Sequence, residues 1–189
     1  NELEYLDLSN FDTSNVVDMK KMFHVCKKLK RIKGLKNFNS YKVSNMHAMF
    51  EQCFELDNID LSNFNTCNVT DMAKMFNQCN SLKKIDLSSF DTTKVDNMDY
   101  LLRGATNLET VILGKNFNKL NSVGIFSGCT SLEAIYSLKD DGLMQVDTTK
   151  DLGTSSLSAV LYVPNMTAEK LYEANEYYMT QFGNDVSRI

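Results

Sequence analysis

The chain repeats a unit of about 26 residues, and this repetition constrains its fold more than any other feature. Residues 3–26 read LEYLDLSNFDTSNVVDMKKMFHVC, and residues 56–79 read LDNIDLSNFNTCNVTDMAKMFNQC. Leucines recur at spacings of 26, 27, 26, 26, 24 and 25 residues, at Leu3, Leu29, Leu56, Leu82, Leu108, Leu132 and Leu157. A fixed period of this length is typical of solenoids, in which each unit stacks on its neighbours. The sequence therefore predicts one solenoid of about seven units over residues 1–163.

Each unit changes its hydrophobic period half-way. The first half ends in an alternation such as Leu56, Ile59 and Leu61, which indicates a short, half-buried strand. The second half has helical spacing, and its apolar members in the third unit are Val69, Met72, Met75, Phe76 and Cys79. Because connections between parallel strands are right-handed in nearly all cases, we expect a right-handed α/β solenoid with one parallel sheet face and one helical face.

Both ends of the chain carry expectations of their own. Residues 164–189 are predicted to cap the same domain, because Pro164 stops the last strand and Thr167 begins an amphipathic segment. The apolar face of that predicted helix contains Leu171, Ala174, Tyr178 and Phe182. At the other end, the first unit begins almost at once and leaves its stacking edge uncovered. This predicts either a preceding segment or a second copy on that edge.

Four cysteines form one column of the repeat and raise the question of metal or redox chemistry. They are Cys26, Cys53, Cys79 and Cys129, and in the fourth unit the same place is taken by Ala105. A position that accepts alanine favours a small buried side chain, and the column contains no CxxC or histidine partner at ligand spacing. We therefore predict no metal and no cofactor. Cys67 lies in a turn and is expected to be exposed.

Motifs of catalysis are missing from the sequence. It contains no GxSxG, HExxH or GxxxxGK[ST] motif. Asp60 and Asp86 occupy equivalent strand positions, but the preceding unit carries Lys33 there and the first carries Asp7. This alternation favours an ion-pair ladder over an acid/base pair. The sequence predicts a chain without enzymatic activity and without catalytic residues.

The side chains that alternate with the buried strand residues are predicted to face the open side of the sheet. They are Tyr5, Asp7, Ser9, Arg31, Lys33, Asn58, Asp60, Ser62, Lys84, Asp86, Ser88, Thr110 and Ile112. This surface, called the sheet face below, is large enough for a protein partner. The competing interpretation is a solvated sheet surface that binds nothing.

A basic zone interrupts a chain whose net charge is −4. Between Asp18 and Glu51 there is no acidic residue, and the basic ones are Lys20, Lys21, Lys27, Lys28, Lys30, Arg31, Lys33, Lys36 and Lys42. One hypothesis is that they dock a sulphated glycan or an acidic protein patch. The other is that neighbouring acidic groups neutralise them. The overall negative charge argues against a nucleic acid partner.

One family resemblance is specific. The phrase LSNFDTSNVxDMxxMFxxC, which recurs over residues 3 to about 136, resembles the leucine-rich repeats of BspA-like bacterial surface proteins, shared with mycoplasma-type lipoproteins. The segment beginning LYVP is similar to the closing segment of that family. The resemblance implies a secreted or surface-anchored protein that adheres to host proteins or other cells. A structural spacer within a larger surface protein is the alternative, and the oligomeric state stays open.

Overall fold

The computed structural model describes residues 2–120, 122–139, 145–146, 151–153 and 159–162. Within these residues the chain forms a parallel β-solenoid, in which each repeat makes one coil stacked on the next coil. Its strands are β1 (Tyr5–Asp7), β2 (Arg31–Lys33), β3 (Lys84–Leu87), β4 (Thr110–Leu113), β5 (Lys119–Leu120), β6 (Ala134–Ser137), β7 (Gln145–Val146) and β8 (Val160–Tyr162). A 3-10 helix spans Leu35–Asn37. The predicted cap of residues 164–189, with its helix, lies outside the described residues.

All strand pairs are parallel and join equivalent residues of successive repeats. β1 pairs with β2, β5 pairs with β7, and a four-stranded sheet has the order β3, β4, β6, β8. In that sheet Asp86 lies opposite Ile112, Ile112 lies opposite Tyr136, and Tyr136 lies opposite Tyr162. The predicted parallel pairing is confirmed, and the sequence columns are its rungs, but the described strands form three separate sheets rather than one.

The third repeat departs from the expected strand pattern. Residues 57–61 form no strand in the described structure, so β2 and β3 are not hydrogen-bonded through this repeat. The burial of its side chains nevertheless alternates, because Asp60 is exposed while Ile59 is half-buried and Leu61 is buried. The open side of the solenoid therefore continues through this repeat without a ladder of backbone hydrogen bonds.

The residues predicted to form helices form stacked turns instead. The Lys74 N–H donates to the Asp99 carbonyl oxygen, 2.9 Å away on the next coil, whereas the Met75 N–H donates to the Met72 carbonyl oxygen at 3.1 Å. The same inter-coil bonds join Lys21 to His47, Ala48 to Ala73, Phe76 to Leu101 and Gly104 to Ser127. An α-helix would bond each N–H to the fourth residue before it. The predicted helical face is wrong, since the described part of the chain contains no α-helix.

Left-handed backbone at two positions of each coil explains this outcome. The non-glycine residues with positive φ are Lys21, Val25, Ala48, Gln52, Lys74, Gln78 and Tyr100. In later repeats one of these two columns holds Gly104 and Gly128, with φ of 72° and 76°. A left-handed residue every fourth position interrupts helical geometry after each turn. The apolar spacing of three and four residues, which resembled a helix, comes from turns that each place a side chain inward.

Stacked side-chain columns fill the core. Phe50 stacks between Phe23 and Phe76, with ring centroids 5.2 Å and 5.5 Å from its own. Phe64 stacks on Phe38 at 6.3 Å in the second aromatic column. All five rings are buried. The core is therefore continuous along the solenoid, and loss of one ring affects the coils on both sides of it.

Candidate functional site

The sheet face lies where the sequence predicted it. Ten of its residues are exposed: Tyr5, Asp7, Arg31, Lys33, Asn58, Asp60, Ser62, Lys84, Asp86 and Ser88. Ser9, Thr110 and Ile112 are half-buried. Their alternation with inward residues such as Leu8, Ile85 and Val111 places them on one side of the solenoid. The structure thus brings the predicted residues together on one surface, and their role in binding stays a prediction.

The aspartates of the sheet face also have a structural task. Asp7, Asp60 and Asp86 accept hydrogen bonds from the N–H groups of Ser9, Ser62 and Ser88 at 2.9, 3.1 and 2.9 Å. A carboxylate that binds the backbone two residues later stabilises a turn. These bonds favour the ionised form, and hydrogen bonding by Ser62 lowers the pKa of Asp60 below its usual value. The three carboxylates therefore stabilise the turns that follow the strand segments.

The predicted ion-pair ladder forms at its first step. The Lys33 Nζ lies 2.9 Å from the Asp7 Oδ2. Hydrogen bonds from Ser9 and then Lys33 lower the pKa of the Asp7 carboxyl, which holds this pair charged. No ion pair within the described residues joins Lys33 to Asp60 or engages Asp86. The second half of the predicted ladder is therefore a row of carboxylates without cations in contact.

Neighbouring coils neutralise nearly half of the basic zone. Lys28, Lys30, Arg31 and Lys33 form ion pairs with acidic groups one coil away. The shortest are Lys30 with Glu4 and Lys33 with Asp7, both at 2.9 Å, and Lys28 with Glu55 follows at 3.0 Å. Lys42 donates to the Asn15 side-chain oxygen at 2.8 Å. Lys20, Lys21, Lys27 and Lys36 make no ion pair with the described residues. The zone that looks purely basic in sequence is thus smaller in space.

Sequence reasoning missed two aromatic residues of the sheet face. Tyr136 and Tyr162 continue the column of Asp86 and Ile112, and their rings stack with centroids 4.7 Å apart and an angle of 13° between planes. Tyr136 is 40% exposed. The spacings of 26 and 24 residues from Asp86 to Ile112 and Tyr136 follow the leucine column, so extending the column would have found Tyr136. The last leucine spacing is 25 residues and leads to Leu161, so the place of Tyr162 in the column comes from the strand register.

A known protein family matches the repeats of this chain. Residues 27–137, more than half of the chain, match the family described as "Mycoplasma protein of unknown function, DUF285". The chain belongs to this family. The match confirms the resemblance to BspA-like repeats of the mycoplasma type.

Comparison with solved structures gives a similar protein. It is a leucine-rich repeat protein from Bacteroides ovatus ATCC 8483, with 17% sequence identity and a TM-score of 0.42. The alignment covers 87% of this chain and 52% of that protein, so the chain spans about half of its length. Among curated proteins, none matches the chain.

The cysteine column of this DUF285 chain is structural. Cys53, Cys79 and Cys129 are buried free thiols, and Cys26 is half-buried at the first coil. Burial raises the pKa of Cys53 and of Cys129 to about 12 and raises the pKa of Cys79 well above its usual value. Such thiols stay protonated at neutral pH. A protonated thiol is a poor metal ligand and a poor nucleophile. Cys67 is half-buried rather than exposed as expected.

The two histidines contact carboxylates of the following coil. The His24 Nε2 lies 3.2 Å from the Glu51 Oε2, and the His47 Nδ1 lies 3.4 Å from the Asp71 Oδ2. Across the described ranges no group of three or more histidine, cysteine, aspartate or glutamate side chains is arranged to hold a metal ion. The same ranges contain no helix long and apolar enough to cross a membrane.

Proposed function

We propose that this chain is a non-catalytic protein-binding module of a secreted or bacterial cell-surface protein, and that it adheres to host or other-cell macromolecules through the sheet face. The observation that supports this most is the row of exposed charged, polar and aromatic side chains on successive coils. A solenoid presents such a row as one extended surface, because each coil adds equivalent positions next to the last.

The dimensions of the sheet face suit a macromolecular partner. Strands of a parallel sheet lie about 4.8 Å apart, so seven coils span roughly 29 Å. A stable protein interface needs about 800 Å² on each partner. The charged coils and the tyrosine coils together offer a surface of that order, and the tyrosines supply the kind of side chain that contributes most at interfaces.

The alternative is a spacer that holds another domain away from the cell. The turn-forming hydrogen bonds of Asp7, Asp60 and Asp86 favour this alternative, because a structural role in the turns explains these carboxylates without any ligand. Binding of the isolated chain to a panel of immobilised fibronectin, laminin, fibrinogen and collagen separates the two. The binding module gives saturable binding to at least one of these proteins, and a spacer binds none of them saturably.

A second candidate function concerns an anionic glycan. Lys20, Lys21 and Lys27 are exposed, lie within eight residues of one another in the sequence and make no ion pair with the described residues. Lys27 also lies over the Phe54 ring, with its Nζ 5.9 Å from the ring centroid. Sulphated glycans bind clusters of this kind mainly through charge, so the expected affinity falls steeply with salt.

A further inference from the structure

One column of the sheet face changes character along the solenoid. Its successive members are Asp60, Asp86, Ile112, Tyr136 and Tyr162, and the last four lie on adjacent paired strands. Leu138, 39% exposed, follows Tyr136 at the end of β6. Two carboxylates therefore lead directly into an apolar and aromatic patch on the same surface.

The orientation of the tyrosine rings restricts what the patch can bind. The two rings stack face to face across the strands at 4.7 Å, and the register places Ile112 on the other side of Tyr136. Both faces of Tyr136, and the face of Tyr162 that meets it, are thus turned toward neighbouring rungs of the column. Sugars and nucleobases bind tyrosine by stacking on a ring face. The patch is therefore better suited to an aliphatic or aromatic side chain that packs beside the ring edges.

The size of the patch sets the size of its occupant. Three rungs from Ile112 to Tyr162 cover about 10 Å at the spacing of parallel strands. This length accommodates one or two side chains, as an extended segment or loop of a protein would present them.

Charge next to the patch adds a second requirement. Asp60 and Asp86 are exposed, and neither carboxylate forms an ion pair with a described residue, although the charge of Lys36 acts on Asp60 from a longer distance. Asp86 is one rung, about 5 Å, from Ile112. A basic side chain next to an apolar anchor would place its charge against these carboxylates.

On the basis of the proposed function, we propose that the column from Asp60 to Tyr162 binds an extended segment of a protein partner. That segment carries an apolar side chain against Ile112, Tyr136 and Tyr162, and a lysine or arginine against Asp86 and Asp60. The tyrosines supply affinity, and the carboxylates fix the direction in which the segment lies.

The test uses a random linear peptide library displayed on phage and selected on the whole chain. We expect the selected peptides to converge on an apolar residue with lysine or arginine nearby. A synthetic copy of the strongest peptide is then titrated by fluorescence anisotropy. The Tyr136→Ser variant should bind it roughly tenfold more weakly or worse. The Asp86→Asn variant should bind it several-fold more weakly and with less dependence on salt, because charge is removed while the amide oxygen can still accept from Ser88.

Two further variants keep the result interpretable. Tyr41→Ser removes a tyrosine that is 57% exposed but outside the sheet strands, and it should bind the peptide as the parent chain does. Ile112→Thr, a strand-compatible change, repeats the test if Tyr136→Ser lowers the melting temperature. The proposal is overturned if the selected peptides share no common pattern, or if the Tyr136→Ser, Ile112→Thr and Tyr41→Ser variants all bind the peptide equally well. It is also overturned if Tyr136→Ser and Ile112→Thr weaken the binding of a neutral oligosaccharide and not that of the peptide. If the chain binds a protein of the extracellular-matrix panel and that binding depends on Arg31 and Lys33 alone, this proposal is overturned while the proposed function stands.

Discussion

Cys79 donates its thiol hydrogen to the carbonyl oxygen of Phe50, 3.2 Å away on the preceding coil. Cys53 makes the same bond to Phe23 at 3.2 Å, and Cys129 makes it to Leu102 at 3.1 Å. The thiols are therefore weak donors in a close-packed column. Ala105 fills the equivalent place without any donor, which shows that the solenoid accepts a coil lacking this bond.

This relationship predicts that Cys79→Ala costs little. The variant loses one weak hydrogen bond and a small buried volume, so the free energy of unfolding should fall by about 1–2 kcal/mol. Phe76→Ala, which opens a cavity in the stacked aromatic column, should cost about 3–5 kcal/mol. Urea unfolding of both variants measures the two values. Unfolding of the domain by Cys79→Ala, or stoichiometric zinc in the purified chain, would contradict the structural role of the column.

The thiols should also differ in reactivity. With a chromogenic thiol reagent at neutral pH, we expect Cys67 to react first and Cys26 more slowly, while Cys53, Cys79 and Cys129 stay silent until the chain is unfolded. A Cys67→Ser variant that loses the fast phase identifies it. Rapid labelling of three or more thiols in the native chain would mean that the column is not buried.

Burial of these thiols predicts a loss of stability at alkaline pH. The pKa values of Cys53 and Cys129 are about 12 in the folded chain, and an unfolded cysteine has a pKa of about 8.5. The folded chain therefore keeps protons that the unfolded chain releases. The contribution of the protonated thiols to the free energy of unfolding is fully present below about pH 8.5, and it declines as the pH rises toward 12. Urea midpoints measured between pH 7 and pH 10 should fall, and a Cys129→Ala variant should lose less than the parent chain.

The sheet was predictable from sequence, and the helical face was not, for one physical reason. Strand pairing follows from the repeat period and the local alternation, as at Ile85 and Val111, and both are visible in the sequence. An apolar spacing of three and four residues is produced equally by a helix and by successive turns. The deciding signal was the appearance of Gly104 and Gly128 where other coils have Gln52 and Gln78, since glycine adopts positive φ readily.

Substitution of Lys74 by glycine tests the stacked turns directly. Lys74 has φ of 59°, which strains a residue with a side chain by about 1 kcal/mol or more. Lys74→Gly should therefore leave the free energy of unfolding unchanged or raise it, whereas in a helix it would lower it by about 1 kcal/mol. Asn107→Gly is the control, because Asn107 is exposed and does not have positive φ, and it should lower stability. A loss in Lys74→Gly as large as in the control would contradict the left-handed turns.

The unpaired lysines predict retention on immobilised heparin. Reversing the charges of Lys20, Lys21 and Lys27 to glutamate should shift elution to lower salt if they dock an anionic glycan. Reversing Lys28, Lys30 and Lys33 instead should change elution less, because these lysines are already paired with carboxylates. Equal elution of the parent chain and the first variant, with equal melting temperatures, would exclude glycan binding by these residues.

The pairing of the basic zone with acidic residues of neighbouring coils could not be predicted from the sequence. The basic zone has no acidic residue within its own stretch, but Glu4 and Glu55 reach it from the coils on either side. Such pairs depend on which side chains share a rung, and that requires the register of the coils. Tyr136 was accessible from the repeat spacing alone, whereas the place of Tyr162 and the stacking of the two rings required the coordinates.

Blocking one side of the solenoid at a time measures the central claim most directly. In a Cys26→Ala, Cys67→Ser background, one new cysteine is introduced on the sheet face by Lys84→Cys, or on the opposite turn side by Asp96→Cys, and each is coupled to a polyethylene glycol maleimide. Both positions are exposed, and the buried thiols should not react. Binding is measured to whichever of the immobilised matrix proteins the parent chain binds saturably. The account predicts that the polymer at Lys84→Cys abolishes saturable binding, while the polymer at Asp96→Cys leaves it unchanged. Equal loss of binding at both positions, or loss at Asp96→Cys alone, would contradict binding through the sheet face.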